Sequence, residues 1–184
     1  MDVAVSDDDA ADLMIRHCIT EGLLREMPQV DVIQLRAKTL DAGELLKRAV
    51  RLRGLFGGTL LVNDRVDVCL AAGADGVHLP SSRVAPNVLK RRFGLRLVVG
   101  VSCHTLDEVL RAEQEGADYV YLSPIFESLS KPGYGPALGL GVLGEVASRV
   151  LVPVIALGGV TVGNEAACVA AGAAGVAGIS YFNQ

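Results

Sequence analysis

The chain has 184 residues, of which 51% are hydrophobic, and a formal net charge of −4. This length and apolar content suit a single domain, residues 1–184, with a large core. The negative charge and the absence of a long Lys or Arg run argue against a broad nucleic-acid surface. No apolar run reaches the roughly 18 residues of a membrane helix, and residues 1–9 are acidic where a signal peptide would be basic. We therefore expect a cytoplasmic protein that acts on small molecules.

The four cysteines are scattered along the chain and show no CxxC spacing. Zinc sites and disulfide frameworks depend on close or paired spacings, so neither is indicated. We expect buried, reduced thiols at Cys18, Cys69, Cys103 and Cys168.

Short apolar runs alternate with amphipathic stretches, and Gly, Asp or Pro marks each junction. This alternation predicts strands joined by helices. The runs predict eight strands, at 3–6, 32–35, 59–62, 76–79, 96–100, 119–122, 152–157 and 175–180. Helical patterns lie between them, for example at 41–53 and 105–116, and the second begins with a capping box from Thr105 to Glu108.

The segments "AAGADGVHL" (71–79), "EQEGADYVYL" (113–122) and "AAGAAGVAGI" (170–179) repeat one unit: a helix end, a glycine in a left-handed turn, and a short strand. Apolar strands linked by helices indicate a parallel sheet buried on both faces, and eight units favour a closed (β/α)8 barrel. An open doubly wound sheet is the alternative.

The sequence stops soon after the last predicted strand, so we expect the eighth outer helix to be absent. An apolar seam beside Val3, Val5, Val176 and Ile179 would then be exposed. Because such a seam is costly in water, we expect a homo-oligomer.

In a (β/α)8 barrel the chemistry lies on the loops after the carboxyl ends of the strands. Polar residues accumulate at those ends. Asn63 and Asp64 could equally cap the next helix, and His78 could be a core histidine with satisfied hydrogen bonds. The strand-end residues are Gln34, Arg36, Lys38, Asn63, Asp64, His78, Ser102, His104 and Ser180.

The ends of the last two predicted strands indicate a phosphate site. Gly158 and Gly159 permit a close approach of the backbone, and Gly178 and Ser180 offer N–H and hydroxyl groups beside them. Across the barrel mouth, the loop "ESLSKPGYGP" (127–136) could neutralise a second anion. Its candidate groups are Ser128, Ser130 and Lys131.

These strand ends resemble those of thiamine phosphate synthase and its relative TenI, a thiazole tautomerase. The resemblance covers nearly the whole chain and includes "VIQLRAK", "LLVNDRVDVCLAAGADGVHLP", "VGVSCHTLDEVLRAEQEGADYVYLSPIFESLSKPGYGPALGL", "VPVIALGGV" and "AGAAGVAGIS". It implies that a hydroxymethylpyrimidine pyrophosphate loses pyrophosphate and that the nitrogen of a thiazole phosphate attacks the resulting carbocation-like methylene, which gives thiamine phosphate.

The resemblance also implies roles for individual residues. Asp64 would hold Mg²⁺, and Arg36, Ser102 and Lys131 would be the catalytic residues through their contacts with the leaving pyrophosphate. The pyrimidine pyrophosphate would be bound by Gln34, Arg36, Lys38, Asn63, Ser102, Ser128, Ser130 and Lys131. The thiazole phosphate would be bound by Gly158, Gly159, Gly178 and Ser180.

The chain departs from the family pattern at two places. Arg83 stands where the synthases carry a second acidic Mg²⁺ contact, and Pro124 stands where the tautomerase carries a histidine. His104 would be the substitute acid or base in a tautomerase. An active synthase is the main hypothesis, and a TenI-like tautomerase or a non-catalytic binder of thiamine phosphate precursors is the alternative.

Overall fold

Eight strands of four to six residues pair in parallel and close into a ring in chain order. The computed structural model describes residues 14–22, 24, 28–81, 84–94, 96–127 and 136–179. Because β8 pairs with β1, the sheet has no free edge. The closed barrel is therefore confirmed, and the doubly wound alternative is wrong. The strands are β1 (Ile15–Thr20), β2 (Val32–Leu35), β3 (Thr59–Asn63), β4 (Gly76–Leu79), β5 (Val98–Cys103), β6 (Tyr119–Leu122), β7 (Val154–Leu157) and β8 (Gly175–Gly178).

Helices follow the strands on the outside of the ring. The predicted cap at Thr105 is confirmed, since Thr105 accepts the N–H of Glu108. Asp41 is a second side-chain cap and accepts the N–H of Glu44. The Glu108 carboxylate reaches back to the N–H of His104, 2.6 Å away. The described helices are α1 (Ala42–Leu55), α2 (Val66–Ala72), α3 (Pro86–Phe93), α4 (Leu106–Gln114), α5 (Gly139–Arg149) and α6 (Glu165–Ala170).

The first strand of the ring does not lie where the sequence predicts it. The predicted segment 3–6 is outside the described residues, and the strand that closes the barrel is Ile15–Thr20. Its register pairs His17 with both Val32 and Ala177. The fifth strand also differs from its predicted bounds, because it runs to Cys103 and so includes Ser102.

Alternation along each strand separates an inner core from an outer one. Inward-facing side chains fill the barrel interior, where Ile19, Leu61 and Ile155 pack with two tyrosines. Outward-facing residues such as Val62 and Val120 are completely buried under the helices. Because both faces are covered, the strands are nearly continuous in apolar character.

At the amino-terminal end of the barrel, an aspartate side chain links every second strand to the strand before it. Asp31, Asp75 and Asp118 directly precede β2, β4 and β6, and each carboxylate accepts a backbone N–H from the preceding strand at 2.7 or 2.8 Å. Asp75 and Asp118 also form ion pairs of 2.6 Å with helix cations, Arg53 and Lys90. The repeated "GAD" of the sequence is therefore a device that fixes a strand start to its neighbour and to a helix.

The seam between β8 and β1 is more covered than the sequence analysis predicts. Val176 is completely buried, so its assignment to an exposed seam is wrong. Arg16, which pairs with Val176 across the seam, lies 3.7 Å from Glu165 of α6. Ile179 is 45% exposed, as expected, and Val3 and Val5 lie outside the described residues.

Two further expectations from the sequence are confirmed. The repeated glycines adopt left-handed turns, with φ angles of 64°, 84° and 99° at Gly73, Gly116 and Gly172. All four cysteines are buried, and none of them forms a disulfide with another. Within the described part of the chain, no helix combines the length and apolar character that crossing a bilayer requires.

Gly100 is required by the interior packing, and its replacement should destabilise the barrel. A Cβ at this position would lie 2.1 Å from Cζ of Tyr119. We expect Gly100→Ala to lower the free energy of unfolding by about 1–3 kcal/mol, through overpacking. Urea denaturation measures this change.

The matched control is Gly54→Ala, in the last turn of α1, where an added Cβ meets no atom within 4 Å. Alanine favours the helix there by about 0.5–1 kcal/mol. A Gly100 variant as stable as the Gly54 variant would contradict the packing assignment.

Candidate functional site

Gln34 and Asn63 meet at the carboxyl ends of β2 and β3. Gln34 points into the barrel and is 1% exposed, and its Nε2 donates to Asn63 Oδ1 at 3.1 Å. Its Oε1 is buried and has no hydrogen-bond partner in the described part of the chain. A buried acceptor without a donor costs free energy, on the order of 1–3 kcal/mol, which a ligand N–H would recover.

Asp64 follows Asn63 in a left-handed conformation, with φ of 57°. Its N–H donates to the His78 carbonyl at 2.9 Å, which fixes the residue beside the end of β4. Neither Asn63 nor Asp64 is the N-cap of α2, because that position is Arg65, whose side chain makes no capping hydrogen bond. The backbone thus places these two polar side chains at the barrel mouth rather than on a helix start.

Asp67, in the first turn of α2, forms an ion pair with Arg65. The Arg65 guanidinium donates to both of its carboxylate oxygens, at 2.8 and 2.6 Å. This pairing lowers the pKa of Asp67 to about 2. Asp67 therefore remains ionised and bound to Arg65, whose charge also interacts with Asp64 at the end of β3.

His78 is a buried histidine, and it also contacts a predicted site residue. It is 2% exposed, and its two ring nitrogens lie 2.8 Å from the hydroxyls of Tyr119 and Ser102. Burial lowers the pKa of His78 to about 3. The imidazole is therefore neutral at physiological pH.

Three residues that the sequence analysis missed complete the interior below Ser102. Tyr119 and Tyr121 alternate on β6, so both face inward, and their rings lie 5.3 Å apart. His17 of β1 contacts the Tyr121 hydroxyl through Nδ1 at 3.0 Å. The alternation of "YVYL" could have identified the two tyrosines, whereas His17 lies in the strand that the sequence analysis did not predict.

Arg36 and Lys38 follow the carboxyl end of β2, at the barrel mouth. The N–H of Arg36 donates to the Thr20 carbonyl at 2.7 Å, and its charge contributes to the lowered pKa of His78. Arg36 is partly buried and Lys38 is exposed. Two cations therefore lie at the end of the strand that carries Gln34.

Gly158 and Gly159 leave β7 beside the end of β8, because Leu157 pairs with Ala177 and the next residues are Gly158 and Gly178. Gly158 and Gly159 have φ angles of 95° and 66°. A Cβ at Gly158 would lie 2.8 Å from Cα of Pro124, and one at Gly159 would lie 2.5 Å from the Glu127 carbonyl. The segment that follows β6 therefore packs directly against the backbone of these two glycines.

His104 lies at the end of β5 and contacts the chain after β6. Its Nδ1 is 2.6 Å from the Ser123 carbonyl, which can only accept, so Nδ1 carries the proton. Ser123 is 8% exposed and directly precedes Pro124. The imidazole thus lies next to the position at which the tautomerase resemblance requires a histidine.

Several predicted site residues lie outside the described residues. They are Ser128, Ser130 and Lys131 of the 127–136 loop, Ser180 after β8, and Arg83 after β4. Within the described residues, no cluster of three or more His, Cys, Asp or Glu side chains could hold a metal ion.

Comparison with known proteins finds a matching family model and similar proteins. Residues 4–182 match the family model described as thiamine monophosphate synthase. A putative thiamine-phosphate synthase 2 from Aquifex aeolicus is 46% identical over 156 residues, which are 83% of this chain and 83% of that protein. A thiamine-phosphate synthase from Methanocella arvoryzae is 44% identical over 153 residues, or 82% of this chain and 72% of that protein.

A solved structure also matches. Thiamine phosphate pyrophosphorylase from Pyrococcus furiosus superposes with a TM-score of 0.80 and 30% identity, over 91% of this chain and 86% of that one.

The buried histidines predict a specific acid sensitivity. Burial lowers the pKa of His17 from 6.5 to about 4. The unfolded chain therefore takes up a proton at His17 that the native protein does not, as the pH falls from about 6.5 to 4. The free energy of unfolding should drop by up to about 1.4 kcal/mol per pH unit from this group across that window.

Urea denaturation between pH 7 and pH 4 measures the slope. His17→Asn keeps a polar group near Tyr121 and does not titrate. The free energy of unfolding of this variant should therefore depend less steeply on pH, by an amount that corresponds to nearly one proton. Equal slopes for the two proteins would show that His17 does not resist protonation in the native state.

Proposed function

Since the chain belongs to the thiamine monophosphate synthase family, we propose that it condenses hydroxymethylpyrimidine pyrophosphate with a thiazole phosphate to form thiamine phosphate and pyrophosphate. The barrel, the polar strand ends and the family match over residues 4–182 support this assignment.

One observation carries the proposal to the level of the substrate: Gln34 holds a buried oxygen acceptor without a partner in the described structure. Its Nε2 is engaged by Asn63, so Oε1 is the group that remains for a ligand. An aminopyrimidine offers an N–H donor of the required kind. Gln34 and Asn63 would thus bind the pyrimidine ring at the end of β2 and β3.

The cations on the β2 end suit the pyrophosphate of the same substrate. A guanidinium can bind two phosphate oxygens at once, and an exposed ammonium adds a point charge, so Arg36 and Lys38 would bind the pyrophosphate. Ser102 would add a hydroxyl from β5. Ser128, Ser130 and Lys131 would contact the same group from the 127–136 loop, which makes that loop an anion clamp.

The reaction needs positioning and charge stabilisation more than a nucleophile of the protein. The bond between the methylene carbon and the pyrophosphate oxygen breaks, and the electron pair leaves with the pyrophosphate. The thiazole nitrogen then forms the new bond to the methylene carbon. Arg36, Ser102 and Lys131 would act as catalytic residues because they bind the oxygens on which negative charge develops.

Asp64 would hold Mg²⁺. Mg²⁺ is commonly bound by one or two carboxylates together with substrate phosphate oxygens, so a single presented carboxylate fits this ion without an all-protein cage. The position of Asp64 is fixed by its bond to the His78 carbonyl. When bound, the ion would offset negative charge on the leaving pyrophosphate.

The opposite part of the mouth would bind the thiazole phosphate. Gly158 and Gly178 lie side by side at the ends of β7 and β8, and Gly159 and Ser180 are their neighbours in the chain. Backbone N–H groups at glycine turns commonly bind phosphate in this fold. The two substrates would therefore enter from different sides of the barrel axis.

The proposed function also bears on the partners, the compartment and the oligomeric state of the protein. Its partners would be small phosphorylated substrates, with no nucleic acid or membrane. Four buried cysteines without a disulfide suit a reducing cytoplasm. The exposed Ile179 beside the β8–β1 seam favours a homo-oligomer, and a monomer in light scattering at micromolar concentration would count against it.

The position of His104 favours one alternative, a TenI-like thiazole tautomerase. Its Nδ1 proton is held by the Ser123 carbonyl, so Nε2 is the basic nitrogen beside the Pro124 position. A tautomerase would move a proton on the thiazole without metal or pyrimidine. A non-catalytic binder of the precursors is the other alternative.

The proposed reaction is tested by thiamine phosphate formation from the two phosphorylated precursors, with Mg²⁺ and with EDTA. Asp64→Asn is the informative variant, because asparagine also tolerates the left-handed conformation at this position. We expect EDTA or Asp64→Asn to reduce turnover on the order of 10²-fold or more. Turnover of a thiazole tautomer without metal would instead support the tautomerase, and saturable binding without any turnover would support the binder.

Gln34→Leu should separate substrate recognition from stability. It removes an unsatisfied acceptor, so the free energy of unfolding should stay within about 1 kcal/mol of wild type or rise. The affinity for the pyrimidine pyrophosphate should fall about 10- to 100-fold, because its amino group loses a buried partner. Calorimetric binding of inorganic pyrophosphate is the control and should not change. Equal losses for both ligands would contradict the assignment of Gln34 to the pyrimidine.

A further inference from the structure

A chain of polar side chains crosses the barrel interior and ends at Ser102. Ser102 Oγ lies 2.8 Å from His78 Nε2, and His78 Nδ1 lies 2.8 Å from the Tyr119 hydroxyl. The Tyr119 and Tyr121 hydroxyls interact with each other, and Tyr121 contacts His17 at 3.0 Å. The four residues behind Ser102 are each at most 6% exposed.

The imidazole of His78 links Ser102 to the buried tyrosines in this series of hydrogen bonds. Because burial keeps it neutral, it carries a single N–H, and both of its nitrogens are hydrogen-bonded. One nitrogen must therefore donate and the other must accept. The tyrosine hydroxyls stay protonated, since burial raises the pKa of both Tyr119 and Tyr121.

Only two arrangements of hydrogens satisfy these contacts. In the first, Tyr119 donates to Nδ1 and Nε2–H donates to Ser102, so the Ser102 hydroxyl hydrogen is available to the barrel mouth. In the second, Nδ1–H donates to Tyr119 and Ser102 donates to Nε2, so Ser102 offers only lone pairs. The two arrangements carry the same net charge and differ in what Ser102 presents.

Phosphate oxygens are acceptors, and therefore only the first arrangement suits an anion at Ser102. We propose that His78 is a positioning residue that, as its Nε2–H tautomer held by Tyr119, turns the Ser102 hydroxyl toward the pyrophosphate group of the substrate. Tyr121 and His17 extend the same chain to the far wall of the barrel. This inference rests on the proposed function, since it takes the pyrophosphate as the group that Ser102 meets.

Two amide substitutions separate the two contacts of His78. The side-chain nitrogen of Gln reaches as far as Nε2, and that of Asn reaches only as far as Nδ1. His78→Gln therefore retains a donor for Ser102, and His78→Asn retains only the contact with Tyr119. Both variants replace the imidazole by a neutral amide of similar polarity, so each is a control for the other.

We expect His78→Asn to raise KM for the pyrimidine pyrophosphate about 10-fold or more, because the Ser102 hydroxyl is no longer oriented to donate to a charged group. His78→Gln should stay within about threefold of wild type, and KM for the thiazole phosphate should be unchanged in both. Equal losses in the two variants, at equal stability in urea, would reduce His78 to a structural residue and overturn the inference.

A second measurement does not depend on variants that fold or on turnover. Imidazole ¹⁵N spectra of the wild-type protein report which nitrogen of His78 carries the proton. With saturating inorganic pyrophosphate and Mg²⁺, we expect the Nε2–H tautomer. The Nδ1–H tautomer, or no binding of pyrophosphate, would overturn the inference. Nε2–H in a protein that makes no thiamine phosphate would instead contradict the proposed function and leave the role of His78 intact.

Discussion

The interior of a closed eight-stranded barrel is only wide enough for side chains, and every second residue of each strand must fit there. This constraint decides the composition of the strands. Gly100 leaves room for the Tyr119 ring, and Ile19, Leu61 and Ile155 fill the remaining apolar space. The residues nearest the carboxyl ends, Gln34, Asn63 and Ser102, bring polar atoms to the barrel mouth because the same alternation continues to the strand ends.

The sequence was sufficient for the parts of the fold that depend on strong local patterns. β2, β4 and β6 have the predicted bounds because they are short apolar runs between turn residues. β1 was missed because its inward positions include His17 and its outward ones include Arg16, so it lacks an apolar run. Its place in the ring depends on long-range pairing with β2 and β8, which no local pattern reveals.

The candidate site was predictable to the same degree. Parallel strands bring their carboxyl ends together, so the meeting of Gln34 with Asn63 follows from the fold. The coupling of His78 to Ser102 and Tyr119 does not, because it depends on which inward-facing side chains of β4, β5 and β6 come within hydrogen-bonding distance of one another. Likewise, the sequence suggested a ligand for the Gly158–Gly159 pair, whereas the structure adds a packing role against Pro124 and Glu127.

The aspartates that precede β2, β4 and β6 divide the barrel into four units of two strands each. The backbone bonds that Asp31, Asp75 and Asp118 make recur at Ala174 before β8, where the carboxylate is missing. In three of the four units, an aspartate carboxylate adds a hydrogen bond to those between the two backbones. The fourth unit, β7 and β8, lacks this carboxylate bond. Opening of the backbone should cost least in that fourth unit. The proposed phosphate site lies at the other end of this unit, where Gly158 and Gly178 follow the last paired residues of β7 and β8.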